Sequence, residues 1–181
     1  MVNLITAEEV IARVPTNNID EELLKSGLIH AAQERHIRPL MSYKVADFND
    51  SLYHELLDQV KNDSLTDDNK TLLNDYIKPV LAQFVMYDGL TGMAINTTTA
   101  GLMVNSRDNS APATNRQRAD LARDFKGRAN ALADSFTRWI DQADVIVLYP
   151  KYSRAKNIRN FVKSTGGVIT GRKRQIRIDD R

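Results

Sequence analysis

Residues 115–143 read NRQRADLARDFKGRANALADSFTRWIDQA. Ala122, Phe125, Ala129, Leu132, Phe136, Trp139 and Ala143 recur there at alternating spacings of three and four. That is the seam of a helix that buries one stripe and wets the rest. Thr114 or Asn115 stands where the cap belongs. Leu121 and Ile140 widen the seam, and small residues alternate with large ones along it, so a close-packed neighbour is expected. Phe125, Leu132, Phe136 and Trp139 are its predicted core residues. Because many other helical segments also need cover, the helix is expected inside a bundle rather than in a free coiled coil.

The segments upstream supply that cover. Thr6-Ala7-Glu8-Glu9 has the form of a capping box, which predicts a short helix from about Ala7 to Val14. Pro15 to Asn18 breaks it. Asp20 is placed to cap a second helix, with Glu21 and Glu22 favouring its positive end and Leu24, Leu28, Ala31 and Ala32 as its buried stripe. Pro39 ends or kinks it. A third helix fits NDSLYHELLDQV, capped by Asn49 or Asp50. A fourth runs from Thr66 toward Asp88 with Leu73, Ile77, Val80, Leu81 and Phe84 as its apolar face, bent or interrupted at Pro79. HIRPLM at 36–41 and YIKPVL at 76–81 echo each other, but their flanks do not match, so they read as two helices each bent at a proline rather than as a repeat.

Two stretches break the helical pattern. In 96–114, Thr97 to Val104 favours extended structure and Arg107 to Thr114 favours turns. The stretch reads as an exposed hairpin or loop, with Asn105, Arg107, Asp108 and Asn109 as candidate assembly contacts. In the last sixteen residues, GGVITGRKRQIRIDDR, short extended runs surround glycines, and Thr165-Gly166 or Gly166-Gly167 suits a hairpin turn. The expected fold is therefore mainly α: a helical bundle over residues 1–150 with one long amphipathic helix and a β-containing exposed loop, followed by a basic, extended tail with short strands over 151–181.

Charge separates these two parts. Residues 1–150 hold 15 Lys and Arg against 21 Asp and Glu, whereas 151–181 hold 10 against 2. A basic tail on an acidic body implies an anionic partner or the acidic part of a neighbouring copy. With 42% hydrophobic and 27% charged residues in 181, the chain has the composition of one globular domain and an appendage. No stretch approaches the length of an apolar membrane span, and MVNLITAEEV has neither the basic nor the apolar region of a signal peptide. The absence of cysteine excludes disulfides, thiolate chemistry and cysteine-ligated zinc.

Motifs for catalysis or cofactors fail on inspection. Gly166 and Gly171 have the spacing of a phosphate-binding loop, but Arg172 and Lys173 stand where Lys and Ser or Thr are required, and the sequence after them is extended. Asp47, Asn49 and Ser51 resemble the start of a calcium loop, yet Leu52 and Asp58 occupy the positions of its obligatory Gly and Glu. His30 and Glu34 could share a metal from one helix, but no second ligand pair accompanies them, and an ordinary helix-surface contact accounts for them equally well. No cofactor, metal or catalytic group is expected. The tail is a more serious candidate. Arg172 to Arg177 could contact phosphates, although Tyr149, Tyr152 and Phe161, the residues suited to stacking on bases, all precede the cluster. Along an extended chain Val168, Ile176 and Ile178 share one side, and Lys173, Gln175 and Arg177 the other. That alternation suits a strand docked on protein, with Val168, Ile169, Arg172, Lys173, Arg174, Ile176, Arg177 and Ile178 as the docking residues.

The opening of the chain carries a resemblance. LITAEEVIARV, a break, then IDEELLKSGLIHAAQERHIRPLM is similar to the start of head–tail connector (adaptor) proteins of tailed bacteriophages. Thr6, Glu8 and Glu9 match that family's capped first helix. Asp20, Glu21, Leu24, Ile29, Ala31 and Ala32 match its acidic-opened second helix. An exposed segment, a long amphipathic helix and an extended tail follow in the same order. The clear likeness covers about a quarter of the chain, which departs in its greater length and large basic tail. The resemblance implies a non-enzymatic virion protein assembled in the host cytoplasm. It would form a ring, usually of twelve copies, beneath the portal, extend the channel for genomic DNA, and offer a platform to tail or further ring proteins. It also implies a C-terminal segment that docks on the portal protein. The alternative left by the charge is a nucleic-acid-binding accessory protein.

Overall fold

The helix α7 (Lys78–Ala94) is the axis of the molecule. Every residue from Val80 to Met86 is buried, Gln83 included. A helix apolar all round must be enclosed, and α7 is packed by α1 (Ala7–Arg13), α3 (Ile29–Ala32), the turn before Pro39, and α8 (Asn115–Ile140). The computed structural model describes residues 2–15, 21–43, 48–98, 101–104 and 115–153, and these are mainly α-helical. The expected cap Asp20, the loop residues Asn105, Arg107, Asp108 and Asn109, and the docking residues Val168, Ile169, Arg172, Lys173, Arg174, Ile176, Arg177 and Ile178 lie outside the described residues.

The first helix follows its capping box. Thr6 Oγ1 accepts from the Glu9 amide at 3.2 Å, and Glu9 Oε2 accepts from the Thr6 amide at 3.1 Å. The next stretch is not one regular helix. It runs through α2 (Glu21–Leu23), a wide π-helical turn (Leu24–Leu28), α3, a second wide turn (Gln33–Ile37) and α4 (Arg38–Met41). Gly27, at φ 103°, breaks the helical phase, a conformation open to glycine at little cost. The expected stripe is corrected in consequence. Leu24 and Ala32 are buried and Leu28 packs partly buried against the core, but Ala31 is exposed, and Ile29, Gln33 and Ile37 take further inward positions.

Both prolines are accommodated in the same way. The turn Gln33–Ile37 precedes Pro39, and a third wide turn, Leu72–Ile77, precedes Pro79. Proline has no amide hydrogen, and its ring clashes with the carbonyl four residues earlier; widening the turn before it relieves that contact without ending the helix. The end or kink expected at Pro39 is thus a widened turn followed by one more turn of helix. Further on, α5 (Leu52–Lys61) is capped by Ser51, whose Oγ accepts from the His54 amide at 3.2 Å; Asn49 and Asp50 belong to a 3-10 turn instead. Thr66 caps α6 (Asp67–Thr71) as expected, accepting from the Asn69 amide at 3.3 Å. The apolar face of Leu73, Ile77, Val80, Leu81 and Phe84 is buried, but helix continues past Asp88 to Ala94. A two-strand antiparallel hairpin follows, β1 (Ile95–Thr98) and β2 (Gly101–Val104), with Ile95 opposite Val104.

The seam of α8 is buried over only part of its length. Phe125, Ala129, Ala133, Phe136 and Ile140 lie in the core, with Leu132 and Trp139 packed against it. Leu121 is 46% exposed and Ala143 is exposed, so the seam starts near Phe125 and stops at Ile140. The main neighbour of α8 is α7. After a two-residue break, α9 (Ala143–Ile146) turns the chain back.

Candidate functional site

Three constellations stand out above the apolar packing. The first is a buried polar hub on Gln33, which is fully buried. Its Oε1 accepts from the Leu4 amide at 2.7 Å, and its Nε2 donates to the Val2 carbonyl at 3.3 Å and to the Tyr53 hydroxyl at 2.9 Å. Tyr53 in turn donates to Glu34 Oε1 at 2.6 Å, and Glu34 pairs with Arg38 at 3.1 Å. Burial, then the bond to Glu34, pushes the Tyr53 hydroxyl well above the usual phenol range. Glu34 is therefore committed to Tyr53 and Arg38. Among the described residues no group of three or more His, Asp or Glu is placed to hold a metal ion.

The second constellation fastens the 33–41 segment to α7. The Asp88 carboxylate, with its side chain 7% exposed, lies 3.1 Å from Arg35 Nη1 and 3.1 Å from His36 Nε2. The His36 ring stacks on Phe84 at 4.0 Å and meets Tyr87 edge-on at 6.4 Å, while Lys126 from α8 sits 5.2 Å over the Tyr87 ring. One face of the imidazole and one nitrogen are thus engaged, so the pair orients helices rather than presenting a base to a cleft. A further tie is Lys78 to Glu9 at 2.6 Å. Burial raises the Glu9 carboxyl, but the Lys78 bond, the Thr6 amide and the nearby cations outweigh it, so its pKa is lowered.

The third constellation is the root of the basic tail. Ser153 forms a parallel bridge with Ser42: its amide donates to the Met41 carbonyl at 3.2 Å, its carbonyl accepts from the Tyr43 amide at 2.9 Å, and its hydroxyl donates to the Tyr43 carbonyl at 2.8 Å. The Lys151 carbonyl accepts from the Leu52 amide at 3.3 Å, and its ammonium lies 3.5 Å from Glu55. Residues 151–153 therefore belong to the body, and the tail leaves from a fixed point. Beneath this edge lies an aromatic cluster. Trp139 stacks on Tyr76 at 4.0 Å, Phe136 meets Tyr152 edge-on at 6.0 Å, and the Tyr149 ring is 5.8 Å from Trp139. Tyr149 donates to the Asp68 carbonyl at 2.9 Å, and burial with the Asp68 charge pushes its hydroxyl up to about 12.

Of the predicted seam residues, Phe125, Leu132, Phe136 and Trp139 come together against α7 and this cluster. The hub was not readable in sequence, since a glutamine in a helix gives no sign of burial and its partners lie 20, 29 and 31 residues away. An open groove on α8, lined by Asp120, Arg123, Asp124, Gly127, Arg128 and Ala131, has its charges paired within the helix, Arg123 with Asp120 at 3.0 Å and Arg128 with Asp124 at 2.7 Å.

Fold and constellations together define a mainly α-helical protein organised on one enclosed helix, with its basic C-terminal segment leaving from a pinned edge. The chain belongs to a family described as a family of unknown function (DUF6712), whose model matches residues 37–162. That span takes in the enclosed helix, α8 and the tail root, and leaves out residues 1–36, where most of the resemblance to phage connectors lies. No curated protein and no solved structure matches the chain. Among the described residues no helix is long and apolar enough to cross a membrane.

Proposed function

We propose that this protein is a non-enzymatic virion component, a head–tail connector that forms a ring beneath the portal, carries the DNA channel onward and presents a platform to tail proteins. The observation that carries the reading is the order of segments: a boxed first helix, an acidic-opened second helix, an exposed stretch, one long helix and a basic tail. The capping box at Thr6 and the helix Asn115–Ile140 support it, as does the separation of charge between residues 1–150 and 151–181. In the finer architecture we attach to it, the helices form a bundle, the 96–114 stretch with Asn105, Arg107, Asp108 and Asn109 meets other copies or tail proteins, and the tail adds to the portal as a short strand. Strand addition draws affinity from main-chain hydrogen bonds and register from alternate side chains. Ile176 and Ile178 then fill pockets while Lys173 and Arg177 stay at the rim.

The charge of the tail favours a second reading, a nucleic-acid-binding accessory protein. Two double variants separate them, measured against portal protein and duplex DNA at two salt concentrations. On the connector reading, Ile176→Ser with Ile178→Ser abolishes portal joining, and Lys173→Gln with Arg177→Gln weakens it only at low salt. Normal portal joining by the isoleucine variant would sink the docking strand. Ring formation is read separately, by native mass and electron microscopy of the purified protein.

A further inference from the structure

After α9 the chain exposes three consecutive apolar side chains: Ile146 is 41% exposed, Val147 70% and Leu148 52%. Their flanking residues Val145 and Tyr149 are buried, and Tyr149 is bonded to the Asp68 carbonyl at 2.9 Å and sits beside Trp139. The turn is therefore held from beneath by its two buried neighbours. Isolated exposed apolar residues are ordinary, whereas a contiguous run beside buried anchors marks a contact surface. Exposed acidic residues lead into the ledge: Asp144 in α9 itself and Asp141 in the break just before it.

The chain carries a segment with the complementary pattern. On an extended backbone Arg172, Arg174, Ile176 and Ile178 share one side, so one face offers two cations followed by two apolar side chains. The ledge offers carboxylates beside three apolar side chains. Opposite net charges meet, since 151–181 hold 10 basic and 2 acidic residues against 15 and 21 in 1–150. Reach is ample. Ser153 is pinned to Met41 and Tyr43, only five residues beyond Leu148, and the 19 residues from Ser153 to Arg172 can extend up to about 60 Å. Tethering of this kind keeps a segment at an effective concentration on the order of millimolar beside its acceptor.

We propose that the ledge at Ile146–Leu148 is the docking site of the chain's own C-terminal segment, with Ile176 and Ile178 on the apolar residues and Arg172 and Arg174 toward the carboxylates. The free protein thereby stores its arm on its own body, and any partner for the arm must displace it. The inference does not depend on the connector reading, because no portal enters its test.

The chain contains no cysteine, so introduced pairs report without interference. In full-length protein, Val147→Cys with Ile176→Cys should form an intrachain disulfide under mild oxidation, seen as a faster-migrating monomer on a non-reducing gel. It should form at least several-fold faster than in the opposite-side pair Val147→Cys with Arg177→Cys, and more slowly as salt screens the charges. Because Val147 is exposed, melting of the reduced variants should match the parent, which separates failed docking from failed folding. Equal rates for the two pairs overturn the proposal. So do predominantly dimeric crosslinks, which would assign the ledge to the segment of a second copy.

Discussion

Two clusters hold this molecule together by opposite means. Around Phe136, α8 meets the Leu72–Ile77 turn and the tail root through stacked and edge-on rings. Around Gln33, the N-terminal segment, the 33–37 turn and α5 meet through buried and part-buried hydrogen bonds. The aromatic cluster draws its stability from area and tolerates small shifts, since dispersion and apolar burial are weakly directional. The polar hub contributes little net energy per bond, yet each buried group left unpaired is expensive. One cluster therefore carries stability, and the other selects a single arrangement of the chain.

Substitutions should rank accordingly. Phe136→Ala removes a fully buried ring and should lower stability by about 3–5 kcal/mol, read as a fall in denaturation midpoint; a shift under 1 kcal/mol would deny the cluster its role. Trp139→Ala should cost less, about 2–3 kcal/mol, because Trp139 is only partly buried. Gln33→Ala strands the Leu4 amide and strips one partner from Tyr53, for an expected loss of about 2–3 kcal/mol. It should also raise hydrogen exchange at the N-terminal segment, which Phe136→Ala should not do selectively. Parental exchange at Leu4 would show that the hub selects nothing.

Tyr53→Phe should cost about 1–2 kcal/mol and change the response to alkali. Burial raises the folded Tyr53 pKa above its unfolded value of 10.0, so its contribution is complete below pH 10 and is lost as pH rises toward the folded pKa. The parent should therefore lose more stability between pH 9 and 11 than Tyr53→Phe does, with Tyr149 accounting for alkaline loss that persists in the variant. Equal alkaline slopes would contradict a buried neutral phenol. The smallest effect has the opposite sign. Gly127 lies in mid-helix with nothing within 4 Å of where a Cβ would stand, so Gly127→Ala should stabilise the isolated chain by about 1 kcal/mol. An unchanged or lowered midpoint would mean that another surface requires the glycine.

Local rules explain which parts were legible. The Thr6 box, the Thr66 cap and the inner seam from Phe125 to Ile140 each depend on residues within one or two turns, so spacing alone located them. The predictions that failed did so where a distant or phase-shifting feature intervened. Gly27 at positive φ exchanged Ala31 for Ile29 on the buried side. The bend or interruption expected at Pro39 and Pro79, by contrast, takes the form of a wide turn before each proline, with helix resuming after it. Ser51 displaced Asn49 and Asp50 as a cap because the 3-10 turn Phe48–Asp50 precedes it.

By itself the sequence determined the helical class, the capped starts, the inner stripe of the long helix and the contrast between an acidic body and a basic tail, because these follow from nearest-neighbour geometry and composition. Tertiary structure alone decided that α7 is buried all round from Val80 to Met86, that Gln33 is a buried hub, and that the first turns of α8 run past the core. It also decided that Ser153, where the tail begins, is pinned to Met41 and Tyr43, and that Ile146–Leu148 stand exposed. Those outcomes depend on which distant surfaces meet, and no periodicity within one segment records whether water or another helix lies opposite.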